Sequence, residues 1–209
     1  MHYTARIQAN SYLQRLESLL AERLQPGADR AQIDARIWDI FGEEWAVMFT
    51  DLSGFSRNVV KYGIVHFLQN IYESQRIFEP CIEAFDGVLI KVEGDSMLVL
   101  FRKSAKAVEC AIAMQRAANE YNKDRGEEEM ILLCVGIGYG KILTIGEQDV
   151  FGEEVNAASR LGEDTAKAWE ILVTDAVASE IRDLPGIDLE QIDANEAWIK
   201  AAHRVKYSR

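Results

Sequence analysis

The chain is poor in the residues that build unusual scaffolds. Its three cysteines, Cys81, Cys110 and Cys134, stand far apart with no Cys-x-x-Cys pair. That excludes a disulfide framework or a zinc ribbon as the organising principle, and a reducing, cytoplasmic setting is expected. The histidines His2, His66 and His203 are scattered, with no His-Glu-x-x-His, and read as packing or surface residues. Only 3 prolines occur, which rules out collagen-like and proline-rich chains. No apolar run approaches the ~20 residues of a membrane span, and the polar start lacks the hydrophobic region of a signal peptide. No Lys/Arg run is present, and 23 basic residues face 34 acidic ones, a net charge of -11. Nucleic acid is therefore not an expected partner. A nucleotide remains compatible, because local cations or bound metal reverse the field inside a cleft.

What is present is enough for one sizeable domain with a short extension, since the chain has 209 residues of which 48% are hydrophobic. Leu13, Leu16, Leu19, Leu20 and Leu24 recur at helical spacing, as do Ile33, Ile37, Trp38 and Ile40 after Pro26-Gly27. Residues 1–43 thus read as a two-helix extension that caps the core or meets a partner, and 44–209 as the main domain. A strand over Trp45–Phe49 precedes a long helix over Tyr62–Phe85. Strands at Gly87–Val92 and Ser96–Phe101 flank a tight turn at Glu93-Gly94-Asp95. A helix over Ser104–Tyr121 and a charged loop over Asp124–Glu129 follow. Strands are expected at Met130–Ile137 and Lys141–Ile145, a helix at Glu153–Lys167, a strand at Ile171–Thr174 and a helix at Asp175–Ile181. This order defines an α/β (α+β) sandwich with an antiparallel-rich central sheet and flanking helices.

Several residues stand where chemistry needs them. Asp51 ends a buried strand and is followed by Leu52-Ser53-Gly54-Phe55-Ser56 at a helix entrance, where free N–H groups and the helix dipole suit a metal-bound phosphate. On its own it reads better as a simple turn or N-cap aspartate. Lys91, flanked by Ile90 and Val92, either exposes its head on a solvent face or serves a site. Asp95, if beside Asp51 on the neighbouring strand, completes a hard oxygen site for Mg²⁺ or Mn²⁺. Asn156 and Arg160 are spaced i, i+4 and share one helix face, a neutral donor and a fixed cation suited to phosphoryl-transfer charge. Asp149 can accept from an exocyclic amine. Gly136-Ile-Gly138-Tyr-Gly140 falls short of a dinucleotide fingerprint because a strand, not a helix, follows it, and Gly140-Lys141 is no P-loop because Ile142 occupies the Ser/Thr position.

Three segments in this order resemble the class III nucleotide cyclase catalytic domain, the fold of adenylate and guanylate cyclases, from about Trp45 to Ile181. Phe49-Thr-Asp51-Leu-Ser-Gly54-Phe55-Ser56 is similar to that family's first metal segment. Gly87-Val-Leu-Ile-Lys91-Val-Glu-Gly94-Asp95 is similar to its base-reading lysine plus second metal aspartate. Asp149-Val-Phe-Gly152-Glu-Glu-Val-Asn156-Ala-Ala-Ser-Arg160-Leu161 is similar to its third segment. The resemblance implies a ferredoxin-like, palm-type sandwich that binds a nucleoside triphosphate. It also implies two Mg²⁺ or Mn²⁺ ions per active site, held by Asp51 and Asp95, with backbone N–H groups of Leu52, Ser53, Gly54 and Phe55 around phosphates. Lys91 and Asp149 would read the base, Asn156 would orient the ribose, and Arg160 would stabilise the pentavalent phosphorus.

The resemblance further implies a homodimer whose sites combine both chains. Residues 1–43 are too short for a sensor domain of ordinary length, so control is expected from a protein regulator, from the N-terminal helices or from substrate supply. A lysine facing adenine N1 and a carboxylate facing N6 favour ATP and a 3',5'-cyclic AMP product. A guanylate or pyrimidine cyclase and a catalytically silent nucleotide-binding module are the alternatives. The family's C-terminal phosphate-binding lysine has no match in Asp183–Arg209, where Lys200, Arg204 and Lys206 are the candidates for its place.

Overall fold

One long strand, β1 (Gly42–Leu52), organises the molecule, because its side chains alternate between two apolar layers. Ala46, Met48 and Leu52 join the larger buried cluster, and Val47 and Phe49 the smaller one on the opposite face. The computed structural model describes residues 2–146, 149–192 and 201–208. Before β1 come α1 (His2–Arg23) and α2 (Arg30–Phe41). After it run α3 (Phe55–Tyr62), α4 (Ile64–Ala84), β2 (Val88–Glu93), β3 (Ser96–Phe101), α5 (Ser104–Asn122) and β4 (Leu133–Ile145). The chain continues through β5 (Asp149–Phe151), α6 (Glu153–Arg160), β6 (Ile171–Thr174), α7 (Asp175–Ile181), β7 (Asp188–Ile192) and β8 (Ala202–Lys206).

Among the described residues the strands form one 8-stranded sheet in the order β2-β3-β1-β4-β6-β8-β7, with β5 paired to β4. The β4/β6 pair is parallel and the others are antiparallel, as the sequence led one to expect. β4 pairs along all of β1, from Gly42↔Leu143 to Leu52↔Leu133. Helices α4, α5 and α7 bury Phe78, Ile82, Val108, Met114, Val177 and Ile181 on one face. α6 covers part of the other through Val155 and Ala158. The N-terminal helices pack Leu19, Ile33, Ile37 and Phe41 against Ile145 at the far end of β4, and the Asp29 carboxylate caps α2 by accepting from the Gln32 N–H at 3.0 Å.

The structure redraws four sequence expectations. The two strands expected over Met130–Ile145 are the single strand β4, because its glycines mark a close approach rather than a break. The helix expected over Tyr62–Phe85 divides at Gly63, whose φ of 89° is non-helical. The helix expected over Glu153–Lys167 is α-helical only to Arg160 and closes in a π turn, Leu161–Thr165. The short strands β5, β7 and β8 carry too little alternation to stand out from loop sequence.

Candidate active site

Parity along β1 places Asp51 on the face of Val47 and Phe49, the side away from α4 and α5. Asp95 lies in the tight turn between β2 and β3, with Gly94 at φ 59° supplying the left-handed corner. β1 and β3 hold that turn beside Asp51. Thr50 is paired with Met97, and the Met97 N–H donates to Thr50 Oγ1 at 3.1 Å. The two carboxyls are close enough for a protonated Asp51 to donate to Asp95. Burial first, then the charges of Asp95 and Glu163, push the Asp51 carboxyl up to about 7. Burial also raises Asp95, opposed by the Leu52 N–H that faces it.

Asp95 Oδ2 is buried without a hydrogen-bond partner among the described residues. A buried orphan oxygen beside a second carboxyl is the donor chemistry a hard divalent cation takes, so these residues fit Mg²⁺ or Mn²⁺. No group of three or more His, Cys, Asp and Glu side chains gathers to hold a metal among the described residues. Two carboxylates with substrate phosphates as further ligands is the arrangement Mg²⁺ commonly takes in nucleotide sites. In the following loop the Ser53 N–H is already used, donating to the Leu132 carbonyl at 2.8 Å. Gly54, at φ 92°, is the N-cap of α3, which opens at Phe55.

Lys91 reaches the same face through an irregularity in β2. Leu89 pairs with Val99, but Lys91 pairs with Leu98, so one residue, Ile90, is bulged out of register. Continued alternation from Leu89, which packs on the helix-covered core, would turn Lys91 back toward that core. The bulge instead puts Ile90 and Lys91 both on the face of Leu98 and Leu100. There Lys91 Nζ lies 3.7 Å from Asp149 Oδ2, so the structure brings the two expected base-reading residues together.

The segment carrying Asn156 and Arg160 is seated by glycines. A Cβ on Gly136 would collide with the Ala158 carbonyl and the Gly162 N–H, and one on Gly138 with the Glu154 carbonyl. The Gly-Ile-Gly-Tyr-Gly run therefore lets α6 and the π turn rest directly on β4. Glu154 Oε2 fastens the helix by accepting from the Tyr139 N–H at 3.0 Å and the Thr174 hydroxyl at 2.8 Å. With Val155 and Ala158 turned to the sheet, Asn156 and Arg160 are exposed on the outer side of α6.

Sequence reasoning passed over three carboxylates here. Glu93 lies 3.0 Å from Lys91 Nζ, and its signal was the i, i+2 spacing that shares a strand face. Glu154 was marked only by its place in the third segment. Glu163, whose charge raises both aspartates, is brought near them by the π turn, which the sequence pattern did not show. Two candidates for the phosphate-binding cation are engaged elsewhere. Arg204 bonds Glu170 and Glu190 at 3.0 and 3.2 Å, and Lys206 lies 3.6 Å from Glu190. Lys200 lies outside the described residues.

Residues 42–206 match the profile of the adenylate and guanylate cyclase catalytic domain, and the chain belongs to that family. It is 32% identical over 168 residues to an adenylate cyclase of Streptomyces coelicolor, an alignment spanning 75% of this chain and 40% of the relative. It is 29% identical over 188 residues to an adenylate cyclase of Mycobacterium tuberculosis, spanning 81% of this chain and 41% of the relative. The crystal structure of an adenylate/guanylate cyclase/hydrolase from Silicibacter pomeroyi superposes with a TM-score of 0.70 at 25% identity, covering 78% of this chain and 96% of that one. The chain thus spans about two fifths of these two curated relatives. Among the described residues no helix is long and apolar enough to cross a membrane.

Proposed function

We propose that this chain converts ATP to 3',5'-cyclic AMP and pyrophosphate, with residues 44–209 as the catalytic unit and 1–43 as a helical extension of it. The carrying observation is the Lys91–Asp149 pair on the site face. Its donor and acceptor stand side by side, complementary to adenine N1 and the N6 amine. Guanine, with N1–H and O6 at those places, would oppose donor to donor and acceptor to acceptor.

Asp51 and Asp95 would hold two Mg²⁺ or Mn²⁺ ions. When bound, such ions lower the pKa of the ribose 3'-hydroxyl and offset the triphosphate charge. Lys91 donates to N1 and Asp149 accepts from N6, which fixes the base. Asn156 orients the ribose, and Arg160 stabilises the charge that develops on the α-phosphoryl oxygens. The N–H groups at Gly54 and Phe55, at the start of α3, face the phosphates.

The site is completed by a second copy of the chain. Apart from each other, the charge acting most strongly on the two aspartates is Glu163, while Asn156 and Arg160 project outward from α6. In a head-to-tail pair, the outward face of one protomer meets the aspartates of its partner.

The test is incubation of the purified chain with ATP, GTP, CTP and UTP separately, with Mg²⁺ and with Mn²⁺, and mass identification of the products. Cyclic AMP from ATP, absent in Asp51→Ala, is the expected result. A cyclic product from another base alone, or no product from a folded dimer, overturns it.

A further inference from the structure

Lys91 has two carboxylate neighbours, and the nearer is not the one that faces the base in the reading above. Its Nζ is 3.0 Å from Glu93 Oε1 and 3.7 Å from Asp149 Oδ2. The first is an ion pair at hydrogen-bond distance, and the second is a looser one. Beyond the bulge at Ile90, Lys91 pairs with Leu98 and Glu93 with Ser96, so both side chains stand on the site face two residues apart. The Asp149 carboxylate is already half committed, because its Oδ1 accepts from the Val150 N–H at 3.0 Å. Oδ2 is the oxygen left for an incoming amine, and it is also the oxygen nearest Lys91.

A lysine and a carboxylate at this distance close onto one another unless something restrains the lysine. Closure would spend Oδ2 on Lys91 and blunt both halves of the base reader at once. The Glu93 side chain is 71% exposed, and a solvated ion pair of this kind adds little to stability. Its effect therefore falls on where Lys91 points.

We propose that Glu93 is a specificity-determining residue. It holds the Lys91 ammonium away from Asp149, so that Lys91 keeps a free donor for a ring nitrogen and Asp149 a free acceptor for an exocyclic amine. Glu93 positions the reader and does not itself touch the base. The assignment of adenine as the base rests on the function proposed above.

The test measures equilibrium binding of the α,β-methylene analogues of ATP and GTP, which present the base and phosphates without the bond that cyclisation breaks. Wild type, Glu93→Ala and Glu93→Gln are compared with Mn²⁺ present, and melting temperatures are taken alongside. Wild type is expected to prefer the adenine analogue. Glu93→Ala should narrow that preference about tenfold, the scale of one charge-assisted hydrogen bond, by weakening the adenine analogue. Glu93→Gln, which still offers Lys91 an acceptor, should retain most of the preference, and all three proteins should melt alike.

A preference in Glu93→Ala within about twofold of wild type overturns the role of Glu93. A wild type that favours the guanine analogue overturns the adenine assignment, while the change from wild type to Glu93→Ala still decides whether Glu93 sets the preference. A wild type that binds neither analogue overturns both.

Discussion

Asp51 and Asp95 face one another at the ends of neighbouring elements, and Asp51 is the one pushed up to about 7. The folded chain therefore holds that proton more tightly than the unfolded chain, whose carboxyl titrates near the ordinary 3.8. In metal-free buffer the resulting cost is absent below pH ~4, grows as the pH rises and is complete above pH ~7. Asp51→Asn removes it. This variant should melt above wild type at pH 8 in EDTA and alongside it at pH 4. Mg²⁺ or Mn²⁺ should raise the wild-type melting temperature at pH 8 and leave Asp51→Asn nearly unmoved. Melting curves in EDTA at the two pH values check the point, and a wild type that gains stability between them contradicts it.

Mixing two variants tests the proposed shared site. If the site combines both chains, Asp51→Asn and Arg160→Ala disable opposite halves, and a heterodimer of the two keeps one site whose aspartates and arginine are all intact. With random exchange the mixture should recover about a quarter of the wild-type rate, and each variant alone almost none. A mixture as silent as its components would mean that the halves do not come from different chains.

Gly138 is expected to resist even the smallest side chain, because the added Cβ would meet the Glu154 backbone carbonyl. The helix must lift to make room. Gly138→Ala should cost about 1–3 kcal/mol in denaturant unfolding and lower kcat more than it raises KM, since Asn156 and Arg160 move with the helix. Unchanged kcat in the folded variant would disconnect the glycine seat from the site.

The Glu154 carboxylate satisfies the half-buried Tyr139 N–H and the hydroxyl of buried Thr174. Glu154→Ala strands both donors and should destabilise by about 1–3 kcal/mol. Thr174→Val, which removes one donor together with its need for a partner, should cost less. The difference between the two variants in urea unfolding is the measurement.

Much of this was legible in the sequence. The unbroken apolar run Trp45–Phe49 pointed to the central strand, and helical spacing located α2 and α5. The three segments around Asp51, Lys91–Asp95 and Asn156–Arg160 supplied the candidate site residues. What stayed hidden depended on chain contacts across space. The glycines of β4 look like strand breakers until α6 is seen resting on them. The face chosen by Lys91 could not be counted from parity, because the bulge at Ile90 resets the count. Glu163 reaches the aspartates only through a π turn that continues the same residues an α-helical pattern would use.

A helix that meets its sheet through interlocking side chains can slide as those side chains repack. α6 has no such bearing where backbone lies on the glycines of β4, so over Gly136 and Gly138 helix and sheet move as one solid piece. In the head-to-tail dimer proposed above, the motion that draws an arginine toward a bound triphosphate would then come from hinging between protomers. Each protomer would swing with its α6 fixed to it, and a crystal of a loaded dimer should differ from an empty one in the angle between chains and very little within either.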